Sequence, residues 1–284
     1  MKLDEFRIRD PFILYEGGVY YLYGTNCCYD AVVPIDGFYV YTSTDLENWS
    51  EATLVYNSPE NGTARGVHWA PEVYHIGDKY YMFATMMQET NMRGTYSLVA
   101  DSPMGPFRPL SDGALTPKEW ESLDGTLYFS KEGKPYLIFC HEHRQIIDGT
   151  MCYAELSPDF THFVSDITVM FAASEPYFAD PPKEGRHFVT DGPFMFRTKT
   201  GELLMIWSTF VQQQYHECLV RFKDGELGMD FEHLPPLITD NGGHGMIFED
   251  EKGLHLTYHY PNTKLYEHAY FCDIEDLGDN LKLV

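Results

Sequence analysis

Five times along this chain an alternating run of apolar and aromatic residues meets a short turn centred on Gly or Lys and is followed by a second apolar run. The copies are PFILYEGGVYYLYGT, PEVYHIGDKYYMFAT, GTLYFSKEGKPYLIF, GPFMFRTKTGELLMIWS and GMIFEDEKGLHLTYHY. Alternation of this kind marks a strand with one buried face, and Gly at the turn tolerates positive φ, so each copy predicts a β-hairpin. Further strands are predicted at 37–43 and 94–100, each followed by turn material at 44–49 and 101–107, and a last one at 265–271. No long segment carries helical periodicity.

A polar residue stands near the head of every hairpin: Asp10 before Pro11-Phe12, Glu72 after Ala70-Pro71, Asp124 before Gly125, Asp191 before Gly192-Pro193, and His244 before Gly245. They recur roughly every 50–70 residues, which suits the four-stranded blades of a propeller and exceeds the shorter, largely helical solenoid repeats. A β-sandwich would lack this long period. The expectation is therefore an all-β chain, a five-bladed β-propeller in a single domain over residues 1–284. Equivalent positions of a cyclic repeat converge on the axis. Four carboxylates and an imidazole gathered there are costly unless they do chemistry.

Composition narrows the chemistry. Aromatic residues make up 15% of the chain, with 21 Tyr and 19 Phe, which favours strands and supplies stacking surfaces. The net charge of −23 disfavours nucleic acid and anionic membranes as partners, whereas a neutral small oligosaccharide is compatible with it. The six cysteines include adjacent Cys27 and Cys28 but no CxxC, and several sit in apolar runs, so reduced buried thiols are expected. The start MKLDEFRIRD has no apolar core for a signal peptide and no stretch is long enough to span a bilayer, which gives a cytoplasmic enzyme as the expectation. GxSxG, P-loop, GxGxxG-before-helix and HExxH patterns are all missing.

Trp69 and Glu72 suit a sugar pocket, since a ring stacks on the apolar face of a sugar and a carboxylate accepts its hydroxyls. A core role for Trp69 is the competing reading. Phe12, His68 and Trp207 are further candidate lining residues, and the loops 26–36, 86–94, 144–149 and 174–187 are expected at the pocket mouth.

Arg9-Asp10-Pro11-Phe12, Trp69-Ala70-Pro71-Glu72, Leu123-Asp124-Gly125-Thr126, Asp191-Gly192-Pro193 and Gly243-His244-Gly245, in this order across nearly the whole chain, resemble the family 43 glycoside hydrolases. The resemblance implies a five-bladed propeller that cleaves α-L-arabinofuranosyl or β-D-xylosyl linkages with inversion. Inversion requires a base and an acid about 6.5–9.5 Å apart, with water between. By resemblance Asp10 is the base, Asp124 modulates the acid's pKa and helps fix the sugar, and Asp191 is the acid. His244 takes the place of a histidine that helps hold calcium or another cation through waters; no cofactor is otherwise required. One departure matters: the family carries Glu where this chain has Asp191, a side chain shorter by about 1.5 Å. Three outcomes follow from it. The backbone lies closer, Glu142 in Cys140-His141-Glu142-His143 serves as a substitute acid, or the pocket binds glycan without cleaving it. A propeller phosphorylase is a further alternative and requires basic residues at the site.

Overall fold

The computed structural model describes residues 1–26, 36–63 and 67–284. Five four-stranded antiparallel sheets, each built from consecutive strands, form the blades of a β-propeller. Blade 1 comprises Ile8–Glu16, Val19–Asn26, Gly37–Ser43 and Thr53–Asn57, and blade 2 comprises His68–Ile76, Lys79–Met87, Arg93–Ala100 and Arg108–Pro109. Blade 3 uses Ser122–Phe129, Pro135–His141, Thr150–Glu155 and Thr168–Ala172, and blade 4 uses Asp191–Arg197, Leu203–Val211, Gln214–Phe222 and Phe231–Ile238. Gly243–Asp250, Gly253–Tyr260, His268–Asp276 and Leu281–Leu283 make blade 5. All five predicted hairpins are the first two strands of a blade. The stretch 265–271 contributes only the start of the third strand of blade 5, and Leu281–Leu283 completes that sheet.

The hairpins form where the sequence alternates, and their turns are short. Glu16 pairs with Val19 across Gly17-Gly18, both at positive φ, which suits the two-residue turn that matches strand twist. The apolar faces pack between blades. One cluster joins blades 5, 1 and 2 through Phe248, Ile8, Val40, Val73 and Met82, and another joins blades 3 and 4 through Ile138, Phe171, Trp207 and Val220. Phe83 with Leu137 and Phe139 fills the gap between blades 2 and 3, and Ile206 with Ile247 and Leu256 that between blades 4 and 5.

Among the described residues no strand is shared between the first and last blades. Side chains and backbone close the ring instead: Arg7 donates to the Leu265 carbonyl, Arg9 meets Glu267 at 3.3 Å, and His268 Nδ1 lies 2.8 Å from the Phe6 carbonyl oxygen. Cys140, Cys152 and Cys218 are buried and Cys272 is partly buried, each without a disulfide partner among the described residues. Cys27 and Cys28 lie outside the described residues. Among the described residues no helix is long and apolar enough to cross a membrane.

Each inner strand carries a β-bulge at its start. The register slips between Arg9 and Phe12, Trp69 and Glu72, Leu123 and Thr126, Asp191 and Phe194, and Gly243 and Met246. The residue turned by the bulge has positive φ in all five blades: Asp10 at 51°, Ala70 at 42°, Asp124 at 57°, Gly192 at 49° and His244 at 54°. Asp and His tolerate this region better than most residues, so these positions can carry polar groups at modest strain. This register corrects the equivalence expected from sequence. Asp10, Asp124 and His244 are true counterparts, whereas Asp191 precedes its bulge residue by one position and Glu72 follows its own by two.

Candidate active site

The inner-strand starts enclose a cavity of about 470 Å³ whose lining includes Asp10, Asp124, Asp191, Glu142, His244 and Trp69. Of the residues expected from sequence, these six come together. Phe12, His68, Glu72 and Trp207 do not. Phe12 is buried on the axis, edge-on to Tyr74 and Phe194. Glu72, in the same register as Phe12, accepts from the Tyr74 hydroxyl, and burial pushes its carboxyl up to about 8. His68 is buried against Phe38 and hydrogen-bonded to Ser58. Trp207 is fully buried against Phe171 because it adjoins Ser208, and strand alternation sends neighbours to opposite faces.

Asp10 is buried among four partners. Its Oδ1 lies 3.1 Å from His244 Nδ1 and 3.9 Å from Arg9 Nε, its Oδ2 accepts from the Thr25 hydroxyl at 2.5 Å, and its backbone N–H donates to His259 Nδ1 at 3.3 Å. Burial opposes its charge, yet His244, Arg9, His259 and Thr25 together hold it at about 2. His244 and His259 are themselves pushed below the usual imidazole value by burial, His259 to about 3. At neutral pH both rings are therefore neutral, and Arg9, fixed by Glu267, is the permanent counter-charge. Asp10 stays ionised.

Asp191 behaves oppositely. Burial, and then the charge of Glu142, push it up to about 7, although the Tyr215 hydroxyl donates to it at 3.0 Å. Asp124 is also raised, by burial and then by Asp191 and Asp10, against one backbone donor, Gly192 N–H, at 3.2 Å. Glu142 is the fixed anion of the group. Burial opposes its charge, but His143 at 2.9 Å and Arg93 at 2.8 Å hold it at about 2. Held that low, Glu142 is better suited to supporting a proton on its neighbours than to donating one, and its charge acts on the Asp191–Asp124 pair.

Arg93 also meets Glu121 at 2.8 Å and sits 5.0 Å from the centre of the Trp69 ring, so one guanidinium braces the acidic wall and the aromatic wall together. Arg93, Tyr215, His259 and Thr25 were not singled out from sequence. Thr25 had a signal: GT, AT and WS close three of the hairpin motifs, and YH stands one residue before the end of a fourth, with a polar side chain at one repeated place. Arg93 falls within the expected mouth segment 86–94, but its bracing role depends on packing between blades 2 and 3, which no local pattern shows. Arg144 lines the cavity from the expected loop 144–149, while Arg186 and His187 from 174–187 line a neighbouring pocket of about 340 Å³ joined to the first at Phe210.

Among the described residues no group of three or more Asp, Glu, His or Cys side chains is arranged to hold a metal, and Nδ1 of His244 is directed at Asp10. A dedicated protein-built cage is therefore not formed here, and a cation held at His244 through waters would not require one.

A charge-locked carboxylate and a proton-retaining carboxyl facing one cavity can perform base and acid work at once. The chain matches the profile of Glycosyl hydrolases family 43 over residues 5–274. It belongs to that family. An endo-arabinase from Bacteroides thetaiotaomicron VPI-5482 shares 36% identity over 95% of each chain, with a TM-score of 0.86. A thermostable family-43 glycoside hydrolase (21% identity, 97% and 92% coverage, TM-score 0.82) shares the fold. So does a β-xylosidase/α-arabinofuranosidase from a compost microbial metagenome, solved with xylotriose (16% identity, 100% and 96% coverage, TM-score 0.74). No curated protein matches the sequence. The family 43 chain is thus a glycoside hydrolase on a five-bladed propeller, and a purely glycan-binding role is set aside.

The bulge of blade 4 is the one whose positive-φ residue is a glycine, and it depends on it. Gly192 has φ +49°, and a Cβ there would lie 2.5 Å from Cδ2 of His244. Gly192→Ala is expected to cost about 1–2 kcal/mol in backbone strain alone, seen as a lower Tm, and to reduce activity by displacing the ring beside Asp10. An unchanged Tm would show that the bulge relaxes freely.

Proposed function

We propose that this enzyme hydrolyses α-L-arabinofuranosyl linkages of short arabino-oligosaccharides with inversion at the anomeric carbon. Asp10 takes the proton from the attacking water, and Asp191 protonates the departing glycosidic oxygen. Asp124 contacts the sugar between them, and Trp69 offers a stacking face. The observation that carries the reading is the opposed protonation of Asp10 and Asp191 across one cavity. Arabinose is preferred over xylose because the relative at 36% identity is an endo-arabinase.

The shorter Asp191 suits this role because Tyr215 orients it and Glu142 keeps its proton in place. Phosphorolysis is less favoured: of the arginines lining the cavity, Arg9 and Arg93 are committed to carboxylates, which leaves Arg144 as the cation open to a phosphate. The test is incubation with arabino-oligosaccharides, 4-nitrophenyl α-L-arabinofuranoside and 4-nitrophenyl β-D-xyloside, with and without phosphate, following the first anomer released by NMR. Inverted arabinose independent of phosphate is expected; a retained anomer, or release from the xyloside alone, would overturn the proposal.

The pH dependence follows from the same two groups. Asp10 remains charged down to about 2, so the acid limb lies well below neutrality. Asp191 loses its proton as pH rises through about 7, so kcat/KM is expected to fall above that value. A profile flat up to pH 9 would exclude Asp191 as the proton donor.

A further inference from the structure

Each bulge leaves the N–H of its positive-φ residue outside the blade's own ladder, where it needs an acceptor. The second strand of the preceding blade supplies one, from the residue paired with the position before the bulge. These residues are Thr25 opposite Arg9, Thr85 opposite Trp69, Cys140 opposite Leu123, Ser208 opposite Asp191 and His259 opposite Gly243. Thr25 Oγ1 accepts from Ala70 N–H at 2.8 Å, Thr85 Oγ1 from Asp124 N–H at 2.9 Å, and Ser208 Oγ from His244 N–H at 2.7 Å. His259 Nδ1 accepts from Asp10 N–H at 3.3 Å and closes the circle.

The link from blade 3 to blade 4 is different. Its slot holds Cys140, a fully buried thiol and a weak acceptor, and the Gly192 N–H donates instead to Asp124 Oδ2 at 3.2 Å. Blade 1 shows what a hydroxyl does in the same slot. Thr25 takes the next blade's N–H and turns its own O–H onto Asp10 Oδ2 at 2.5 Å, so that this carboxylate reaches blade 2 only through the hydroxyl. Asp124 occupies the same bulge position as Asp10 but touches the next blade's amide directly.

We propose that Cys140 is a positioning residue: by withholding a hydroxyl it hands the Gly192 N–H to Asp124 and draws that carboxylate toward the strand start that carries Asp191. The inference rests on the reading of Asp124 and Asp191 as groups at the reacting sugar. The thiol itself takes no part in the reaction. Its effect is to break a repeated interblade link at one place, so that the spare amide holds a functional side chain.

The slot accepts Thr in blades 1 and 2 and Ser in blade 4, so Cys140→Thr and Cys140→Ser introduce groups the architecture already accommodates. Cys140→Ala removes the sulfur without adding an acceptor. Crystal structures of the variants are read together with steady-state kinetics on an arabino-oligosaccharide. In Cys140→Thr the Gly192 nitrogen is expected to leave Asp124 for the new hydroxyl, and kcat is expected to fall about tenfold with KM changed less than about threefold. Cys140→Ser should do the same and replaces the Thr variant if that one folds poorly. Cys140→Ala should keep the Gly192–Asp124 contact and a kcat within about threefold of the parent, despite a lower Tm from the lost packing. A thiol that matters only as filler gives the reverse order, with Ala the worst and Ser the mildest. That order, or a hydroxyl variant in which Gly192 stays on Asp124, would overturn the proposal. A parent enzyme that cleaves no arabinoside would sink the proposed function instead, while the crystallographic contact would still decide the role of Cys140.

Discussion

Asp10→Asn is expected to lower kcat/KM by about 10³- to 10⁴-fold while leaving the fold intact. The amide keeps the shape of the carboxyl and can still accept from Thr25, so the propeller has little reason to rearrange. It cannot take a proton from water. The loss should be the same for an aryl arabinoside and for a natural linkage, because the base acts on the nucleophile and is indifferent to the leaving group. Kinetics on both substrates, with a melting curve for each protein, measure this. A loss smaller than about tenfold would remove Asp10 from the base role.

Asp191→Asn carries the second large effect, and its signature is selective. Turnover of an arabino-oligosaccharide, whose leaving sugar alkoxide needs a proton, is expected to drop by about 10²- to 10⁴-fold. The 4-nitrophenyl glycoside departs as a stable phenolate and should lose far less. Glu142→Gln discriminates between the two carboxyls. With Glu142 an anion that supports the proton on Asp191, removing its charge should move the alkaline limb to lower pH and spare the substrate pattern. If the leaving-group signature appeared instead in Glu142→Gln, with Asp191→Asn nearly unaffected, the acid would be Glu142.

The propeller was legible because its determinants are local. Alternation, Gly-centred turns and a long period are written in consecutive residues, and all five hairpins follow from them. The register of the polar residues was not, since a bulge is a difference between two paired strands. Ala70 and Gly192 hold the slots that Asp10, Asp124 and His244 hold elsewhere, so a list of polar residues pairs Glu72 and Asp191 with the wrong counterparts. Trp207 failed through strand parity: one residue earlier than Ser208, it faces the packing between blades. The setting of Glu142 was only half legible: His143 is its neighbour in sequence, whereas Arg93 comes from another blade. Arg93 also lies against the ring of Trp69, which, ambiguous from sequence, stands in the cavity wall.

The closure of the ring has a functional side. Arg9, the lasting counter-charge of Asp10, is fixed by Glu267 of the final blade, and the Asp10 N–H ends on His259 of that blade. The seam between the first and last blades therefore runs through Asp10, the proposed catalytic base. A molecule whose seam has parted can keep most of its sheets, but it loses the setting that keeps Asp10 ionised and aimed. The proposed catalysis therefore depends on this seam, and activity is expected to be lost when it opens even where the individual sheets persist.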